Sequence, residues 1–233
     1  NAAASLLLGL TGGALASVPE HPETRMFYRQ ISRLSACFAT LADTSMLVLG
    51  GELKRRERLS ARLGDMLSNL YLASAALKRF EDQGRPEEDL PFLEWSVRDA
   101  LARTEEAMDE VLRNFPLRWA SVLLRLLVLP LGREVTPPSD SVGAEVARRM
   151  MTPGAARDRL IAGCFRSSDP EDVTGLLNHA LEKVIQADAI ERRIARAVRD
   201  GNLAYDDNAD MLAVAIAADI ITAEDAEVIR AAR

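Results

Sequence analysis

The sequence predicts an all-α fold, an antiparallel helical bundle of long helices followed by a smaller subdomain of short helices. Hydrophobic residues make up 48% of the chain, but aromatic residues only 5%. Much of the apolar content is alanine and leucine, which is typical of helices packed on helices. The chain has no clear alternating apolar pattern joined to a hairpin turn, the usual signal of paired strands. Apolar residues recur instead at steps of three and four, as on one face of a helix.

Three long helices are predicted in the first half of the chain. Their expected bounds are about Glu23–Leu49, Leu53–Asp82 and Leu90–Asn114. Pro22 precedes the first, where the opening turn of a helix tolerates proline. Gly50-Gly51 separates the first two helices, and Gly84 with Pro86 ends the second, because glycine supplies a cap and proline blocks continuation. With connections this short, neighbouring helices are expected to run antiparallel.

The second helix carries the longest regular apolar stripe in the chain. Its members are Leu59, Leu63, Met66, Leu70, Ala73, Leu77 and Phe80. A helix with one apolar face of this length needs partners, so the first and third helices are expected to pack against it. The matching positions are Phe27, Ile31, Leu34, Phe38, Leu41 and Val48 in the first helix, and Val97, Leu101, Met108, Val111 and Phe115 in the third.

The predicted elements become shorter after Pro116. A fourth bundle element is expected at Leu117–Leu131, followed by a turn-rich connection. Short helices are then predicted at Ser141–Met151, Ala155–Gly163, Val173–Asp188, Ala189–Asp200, Asn208–Ala217 and Ala223–Ala232. Their expected caps are Asp140 or Ser141, Asp172, Asp207, and Thr222 with Asp225. We therefore expect residues 1–20 to be the end of an upstream region or a linker, 21–138 the long-helix bundle, and 139–233 a short-helix subdomain packed on the bundle.

The sequence carries no strong catalytic or metal-binding pattern. His21 and His179 are far apart and lack neighbouring ligands at metal-site spacing. The run from Asp206 to Asp210 begins like a calcium loop, but Met211 stands where the turn glycine is needed. We expect no catalytic residue and no metal site in this chain.

The two cysteines and the net charge limit the compartment and the partners. Cys37 and Cys164 are isolated, which fits a reducing cytosol better than a disulfide framework, and Cys37 is expected to be a small buried thiol. The net charge of −6 argues against a general nucleic-acid partner. The expected location is the cytoplasm, with peripheral contact at the inner membrane as an open alternative.

A basic cluster and an apolar helix are the two candidate interaction sites. The cluster is Lys54, Arg55, Arg56 and Arg58, which can grip a phosphate, a lipid headgroup or a protein partner. The open alternative is a solvated charged face paired with Glu52 and Glu57. The segment Leu117–Leu131 is too short and too charged to span a bilayer. It is either an interfacial helix, with Trp119, Leu123, Leu124 and Leu127 as its candidate contacts, or a helix of the bundle with Arg125 reaching out to solvent.

One stretch carries a family resemblance. The run from Val48 to Arg85, VLGGELKRRERLSARLGDMLSNLYLASAALKRFEDQGR, resembles the C-terminal helical domain of bacterial FadE-type acyl-CoA dehydrogenases. The preceding RQISRLSACFATLADTSM and the following DLPFLEWSVRDALARTEEAMDEVLRNFP and PLGREVTPPSD are similar to the same region, in the same order. The core of the match is Leu49–Asp65. The resemblance continues more loosely through GLLNHALEKVIQADAI.

The resemblance implies an accessory role in a larger enzyme. That family oxidises an acyl-CoA to a trans-2-enoyl-CoA, the first oxidation step of fatty-acid β-oxidation, with FAD as hydride acceptor. The catalytic base and most FAD contacts would belong to an upstream dehydrogenase core, so none is expected here. The implied partners are that core, further copies of the enzyme in a homo-oligomer and an electron-transfer flavoprotein. An extra helical domain in very-long-chain acyl-CoA dehydrogenases suggests subunit packing or membrane docking.

Two hypotheses from another class stay open beside the accessory role. The chain could be an independent membrane- or lipid-binding module that uses the basic cluster and the Leu117–Leu131 helix. It could also be a helical scaffold for a protein partner, which would require an exposed apolar patch larger than monomers usually have.

Overall fold

The computed structural model describes residues 1–165, 167, 169, 171–207 and 209–232, and all regular structure among them is helical. The prediction of an all-α fold is therefore confirmed. The chain divides into two compact units, residues 1–147 and 148–233. The expected boundary, between residues 138 and 139, lies just before a helix that runs across this division, α6 (Asp140–Met151).

The first unit is built on three long helices. Its α-helices before α6 are α1 (Ala2–Leu10), α2 (Pro22–Leu49), α3 (Glu57–Asp82), α4 (Leu90–Arg113) and α5 (Arg118–Val128). The Thr24 hydroxyl donates to the Glu81 carboxylate, which places the start of α2 beside the end of α3. Arg62 near the start of α3 contacts Glu110 near the end of α4. Successive long helices therefore run antiparallel, as the short connections predicted.

The apolar stripes form the core of this unit. All seven predicted stripe residues of α3 are buried, as are all five predicted core residues of the third helix. In α2, Phe27, Leu34 and Leu41 are buried, whereas Ile31, Phe38 and Val48 are partly buried against the same core. The spacing of apolar residues therefore identified the buried faces of all three helices.

The junction between α2 and α3 differs from the prediction. The second helix was expected to begin at Leu53, but residues Gly50–Arg55 form a separate 3₁₀ helix and α3 begins at Glu57. Gly50 has a φ of +49° and Arg56 a ψ of +63°, so the backbone leaves the α-helical region at both ends of this short segment. Lys54 and Arg55 consequently lie in the 3₁₀ turn before α3.

The end of α3 has the geometry that its sequence predicted. Gly84 has a φ of +79°, a conformation that glycine adopts without strain. The Gly84 N–H donates to the Glu81 carbonyl at 3.0 Å, and the Arg85 N–H to the Phe80 carbonyl at 2.9 Å. These two bonds form a Schellman motif, which satisfies carbonyls at the end of the helix. The chain can then turn sharply into α4.

The first twenty residues contribute a helix to this unit. Ser5 of α1 is buried, and its hydroxyl donates to the Leu127 carbonyl of α5 at 3.0 Å. Gly13 follows α1 with a φ of +81°, and a Cβ there would lie 2.6 Å from the Arg29 carbonyl oxygen. Only glycine fits so close to α2, so α1 is fastened to the bundle through Ser5 and through the turn that follows the helix.

The second unit contains one long helix with short ones around it. Its helices are α7 (Ala155–Leu160), α8 (Val173–Arg199), α9 (Met211–Ala217) and α10 (Ala223–Ala232). The prediction of two helices at Val173–Asp188 and Ala189–Asp200 was wrong, because α8 runs unbroken through both. Ala187, Ile190 and Ala197 continue one buried face across the expected break. No glycine or proline lies between Ala187 and Ala197.

Two of the predicted helix caps form in this unit. Asp172 accepts from the Thr174 N–H at 2.8 Å, and Thr222 and Asp225 cap each other's backbone N–H groups at 3.0 and 3.1 Å, as predicted. The Thr222 N–H also lowers the pKa of Asp225.

Two other caps were assigned to the wrong residue. The helix predicted from Asn208, which lies outside the described residues, begins at Met211 and is capped by Asp210, not by Asp207. At α6 the Ser139 hydroxyl, not Asp140 or Ser141, accepts the Val142 N–H.

Candidate interaction surfaces

Four helix ends meet at one end of the first unit. The Arg62 Nε lies 2.7 Å from the Glu110 Oε2, which brings the start of α3 to the end of α4. The Ser121 hydroxyl donates to the Leu112 carbonyl, so the start of α5 lies beside the end of α4 as well. The end of α2 joins the same region through the 3₁₀ turn Gly50–Arg55. Residues far apart in sequence therefore share one surface.

This surface carries the predicted basic cluster. Arg55, Arg56, Arg58 and Arg62 line an open cavity of about 400 Å³ together with Glu57 and with Asn114 from the end of α4. We call Lys54 and these four arginines the basic end. Sequence reasoning had included Lys54, Arg55, Arg56 and Arg58 but not Arg62, which stands one helical turn beyond Arg58 on α3.

Local pairing neutralises only part of the basic end. Arg56 pairs with Glu52 at 3.6 Å, and Arg62 with Glu110. Lys54, Arg55 and Arg58 are exposed and make no ion pair with any residue that the structure describes. Two members of the basic end are therefore locally paired, and the other three are exposed to solvent.

Helix α5 has a buried face and an exposed apolar face. Leu124 is only 3% exposed and Leu127 is half-buried, so both contribute to packing of the bundle. Trp119 and Leu123 are exposed, at 69% and 53%. Val122 and Leu126, which sequence reasoning missed, are exposed beside them. We call Trp119, Val122, Leu123 and Leu126 the α5 face.

Arg125 fixes the rotation of α5 on the bundle. Its guanidinium forms an ion pair with Asp109 of α4 rather than reaching freely into solvent. With this pair on one side and Ala120, Leu124 and Val128 buried beneath, the α5 face must point outward. The spacing 119, 122, 123, 126 was visible in the sequence, but this short helix is apolar on too many positions to show which side is buried.

A buried ion pair lies deeper in the same unit. Arg33 of α2 contacts Glu105 of α4 at 2.5 Å, and both side chains are almost fully buried. The second Glu105 oxygen accepts the backbone N–H groups of Glu134 and Val135 at 3.0 and 2.9 Å. The Glu134 carboxylate lies 3.5 Å from Arg33. The network fastens the segment after α5 to the bundle, although the buried Arg33 Nε has no hydrogen-bond partner among the described residues.

The comparison with known families identifies the chain. The model of the acyl-CoA dehydrogenase C-terminal domain of bacterial type matches residues 1–233, the whole sequence. The chain belongs to this family. No solved structure matches it. The resemblance carried by Leu49–Asp65 is thus confirmed over a much longer stretch than the motif itself, including the region after Asn202.

Acyl-CoA dehydrogenases generally bind FAD, and the described cavities of this C-terminal domain can be compared with what that cofactor needs. A flavin needs a slot for its planar rings beside donors for its two phosphates. The cavities on the described surface include one of about 590 Å³ on α3 between Tyr71 and Gln83, the one at the basic end, and an apolar one of about 320 Å³ in the second unit. All three are open to solvent, and none forms the narrow slot that the flavin rings need, so no chemical step through FAD is derived from the described residues.

The described residues of this acyl-CoA dehydrogenase domain also form no cluster of three or more potential metal ligands. His21 precedes α2 in the first unit, and exposed His179 lies on α8 in the second. Asp210, the last residue of the calcium-like run, caps α9.

Within the described part of the chain, one helix is long and apolar enough to cross a membrane by length and composition, the stretch Pro22–Arg55 that contains α2. A core helix of a soluble protein passes the same test. Leu34, Cys37 and Leu41 of α2 are fully buried, and Arg33 is held by Glu105. The bundle core therefore buries one face of α2, whereas Met46 and Leu47 in its last turn are exposed.

Cys37 is a buried thiol, as the sequence predicted. Its Sγ donates to the Val128 carbonyl at 3.3 Å, and the Ser5 hydroxyl lies 3.4 Å from it. Burial raises the pKa of this thiol, so it stays un-ionised at neutral pH. Cys164, in contrast, is exposed.

Thiol chemistry should therefore separate the two cysteines. Ellman's reagent is expected to modify one thiol per chain in the native protein and two after unfolding in guanidinium chloride, because only a thiolate that the reagent can reach reacts. A Cys164→Ser variant serves as the control and should show no rapid native reaction. Rapid modification of that variant would mean that α1 and α5 do not cover Cys37.

Proposed function

We propose that this chain is the accessory C-terminal domain of an FAD-dependent acyl-CoA dehydrogenase, the enzyme of the first oxidation step of fatty-acid β-oxidation. The observation that carries the proposal is the family match over residues 1–233. The full-length enzyme would convert an acyl-CoA to a trans-2-enoyl-CoA. An upstream core would hold FAD and the catalytic base, and an electron-transfer flavoprotein would accept the electrons.

The contribution of this domain itself is structural. The Arg33–Glu105 pair and the Cys37 thiol are both buried and hydrogen-bonded inside the bundle, so they act in folding. The α5 face, by contrast, is a row of exposed apolar side chains on a helix whose other side is held firmly in the core. Such a face on a rigid element suits a contact with the dehydrogenase core or with a second subunit of a homo-oligomer.

A dye-linked acyl-CoA dehydrogenation assay tests this proposal. The full-length enzyme is compared with a version that lacks residues 1–233, α1 included, and bound flavin is measured in both. Loss of flavin or activity while the shortened protein stays soluble supports a domain that completes the enzyme. Full activity and flavin in the shortened protein would contradict it and favour an independent membrane- or protein-binding module. Absence of activity on any acyl-CoA in the full-length protein would contradict the enzyme assignment itself.

A matched pair of substitutions locates the contact. Leu123 on the α5 face and Leu67 on α3 are both 53% exposed, so glutamate at either position adds the same charge at equal accessibility. In the full-length enzyme, Leu123→Glu is expected to reduce the oligomer or the flavin content, because a carboxylate cannot be buried unpaired at an interface. Leu67→Glu should leave both unchanged. Equal effects from the two variants would contradict a role for the α5 face.

A further inference from the structure

We infer that the basic end of the first unit docks on a membrane surface that contains anionic phospholipids. The inference deepens the proposed function, because it names the surface and the lipid chemistry through which the domain would meet a membrane. Its test needs neither flavin nor activity, so it can fail while the enzyme assignment stands, and the reverse also holds.

The basic end carries positive charge on a protein whose net charge is negative. The segment from Glu52 to Arg62 contains five basic and two acidic residues, although the chain as a whole has a net charge of −6. Lys54, Arg55 and Arg58 are exposed and carry no ion pair with any described residue. An anionic surface would therefore repel most of this protein and attract it in one orientation, with the basic end towards the lipid.

The same end of the first unit also exposes large apolar side chains. Leu47, in the last turn of α2, is 86% exposed, and Trp119 opens α5 at 69%. Leu117, just before α5, is exposed as well. The Ser121–Leu112 bond holds the start of α5 beside the end of α4, where Asn114 lines the basic cavity.

This combination favours a membrane over a soluble anion. Cations beside large apolar side chains, with a tryptophan at headgroup depth, are the features that interfacial segments use. A free phosphate or a nucleic-acid backbone would engage the cations but would leave Leu47 and Trp119 in water. The end of the bundle is therefore suited to headgroup contact, while the rest of the α5 face lies along the flank of the bundle and stays free for protein contact.

Flotation with vesicles tests the inference on the full chain. Vesicles of phosphatidylcholine with phosphatidylglycerol are compared with pure phosphatidylcholine at low salt. Binding is expected only to the anionic vesicles and should weaken strongly at 1 M salt, where the Debye length falls to about 3 Å. No flotation at low salt, or equal flotation with both lipids, would overturn the proposal.

Two charge-reversal variants show whether the basic end is responsible. Arg55→Glu with Arg58→Glu is expected to lower vesicle partitioning by at least about tenfold. The matched control is Arg25→Glu with Lys78→Glu, two exposed positions at the opposite end of the same bundle with the same change in net charge. The control should lose much less affinity. Equal losses would mean that net charge alone drives binding, which contradicts a docking end.

Tryptophan fluorescence provides a readout that does not depend on charge variants. Trp95 and Trp119 are the two tryptophans of the chain, so a Trp95→Phe variant leaves Trp119 as the sole reporter. Its emission is expected to shift to the blue with anionic vesicles and to be quenched by brominated lipids. Binding without any change in Trp119 emission would contradict insertion at this end.

Discussion

Replacing Glu105 with alanine is expected to lower the free energy of unfolding of the first unit by about 3–5 kcal/mol. Glu105 is fully buried and accepts hydrogen bonds from Arg33 and from the backbone N–H groups of Glu134 and Val135. The substitution leaves the Arg33 charge in the core without its closest partner and leaves the N–H group of buried Val135 without its acceptor. Both tryptophans lie in this unit, so denaturant unfolding followed by tryptophan fluorescence measures the loss there.

Two controls separate burial from pairing in this experiment. Arg103→Ala removes an exposed pair with Asp99 and should cost less than about 1 kcal/mol. The double variant Arg33→Met with Glu105→Leu leaves no charge behind and is expected to recover much of the lost stability. If Glu105→Ala lowered the free energy of unfolding no more than Arg103→Ala does, the Arg33–Glu105 pair would not be buried from water in solution.

The local spacing of apolar residues was enough to predict the main helices and their buried faces. In α3 every position of the predicted stripe is buried, because a helix of this length with one apolar side has a single way to remove that side from water. The stop at Gly84 was equally local, since it depends on the conformational freedom of one glycine. These features need no knowledge of distant residues.

Helix continuity in the second unit was harder to predict. Between Asp188 and Ala189 nothing in the sequence forbids a helix, and the expected break followed only from an assumption about length. The observed helix is stabilised across that point by its buried face and by an ion pair between Asp188 and Arg192. The cap of α9 was equally hard to assign. Asp207 and Asp210 are both suitable capping residues, and only the backbone conformation shows that Asp210 precedes the first turn.

The candidate surfaces depend on contacts that no local pattern contains. Arg33 and Glu105 are 72 positions apart, and the sequence indicates only that each is a charged residue close to an apolar face. The exposed side of α5 follows from the Arg125–Asp109 pair, which selects Val122 for solvent and Leu124 for the core. The basic end likewise exists because α3 and α4 run antiparallel, which brings Asn114 to the arginines.

The Leu101→Ala substitution is expected to lower the free energy of unfolding of the first unit by about 2–5 kcal/mol. Leu101 has no exposed surface and lies on the face of α4 that packs in the main core. Truncation removes apolar contacts and leaves a cavity that long, mutually packed helices can close only in part. Denaturant unfolding measured by tryptophan fluorescence gives the difference directly.

Leu123→Ala makes the same chemical change on the α5 face and serves as the matched control. Because Leu123 is already half in water, its truncation in this chain should change the free energy of unfolding by no more than about 0.5 kcal/mol. In the full-length enzyme the same substitution should cost more if the α5 face is covered by the dehydrogenase core or a second subunit. A large loss in this chain alone would mean that α5 is rotated relative to the structure described here. A small loss at Leu101 would mean that the bundle core is not packed around α4.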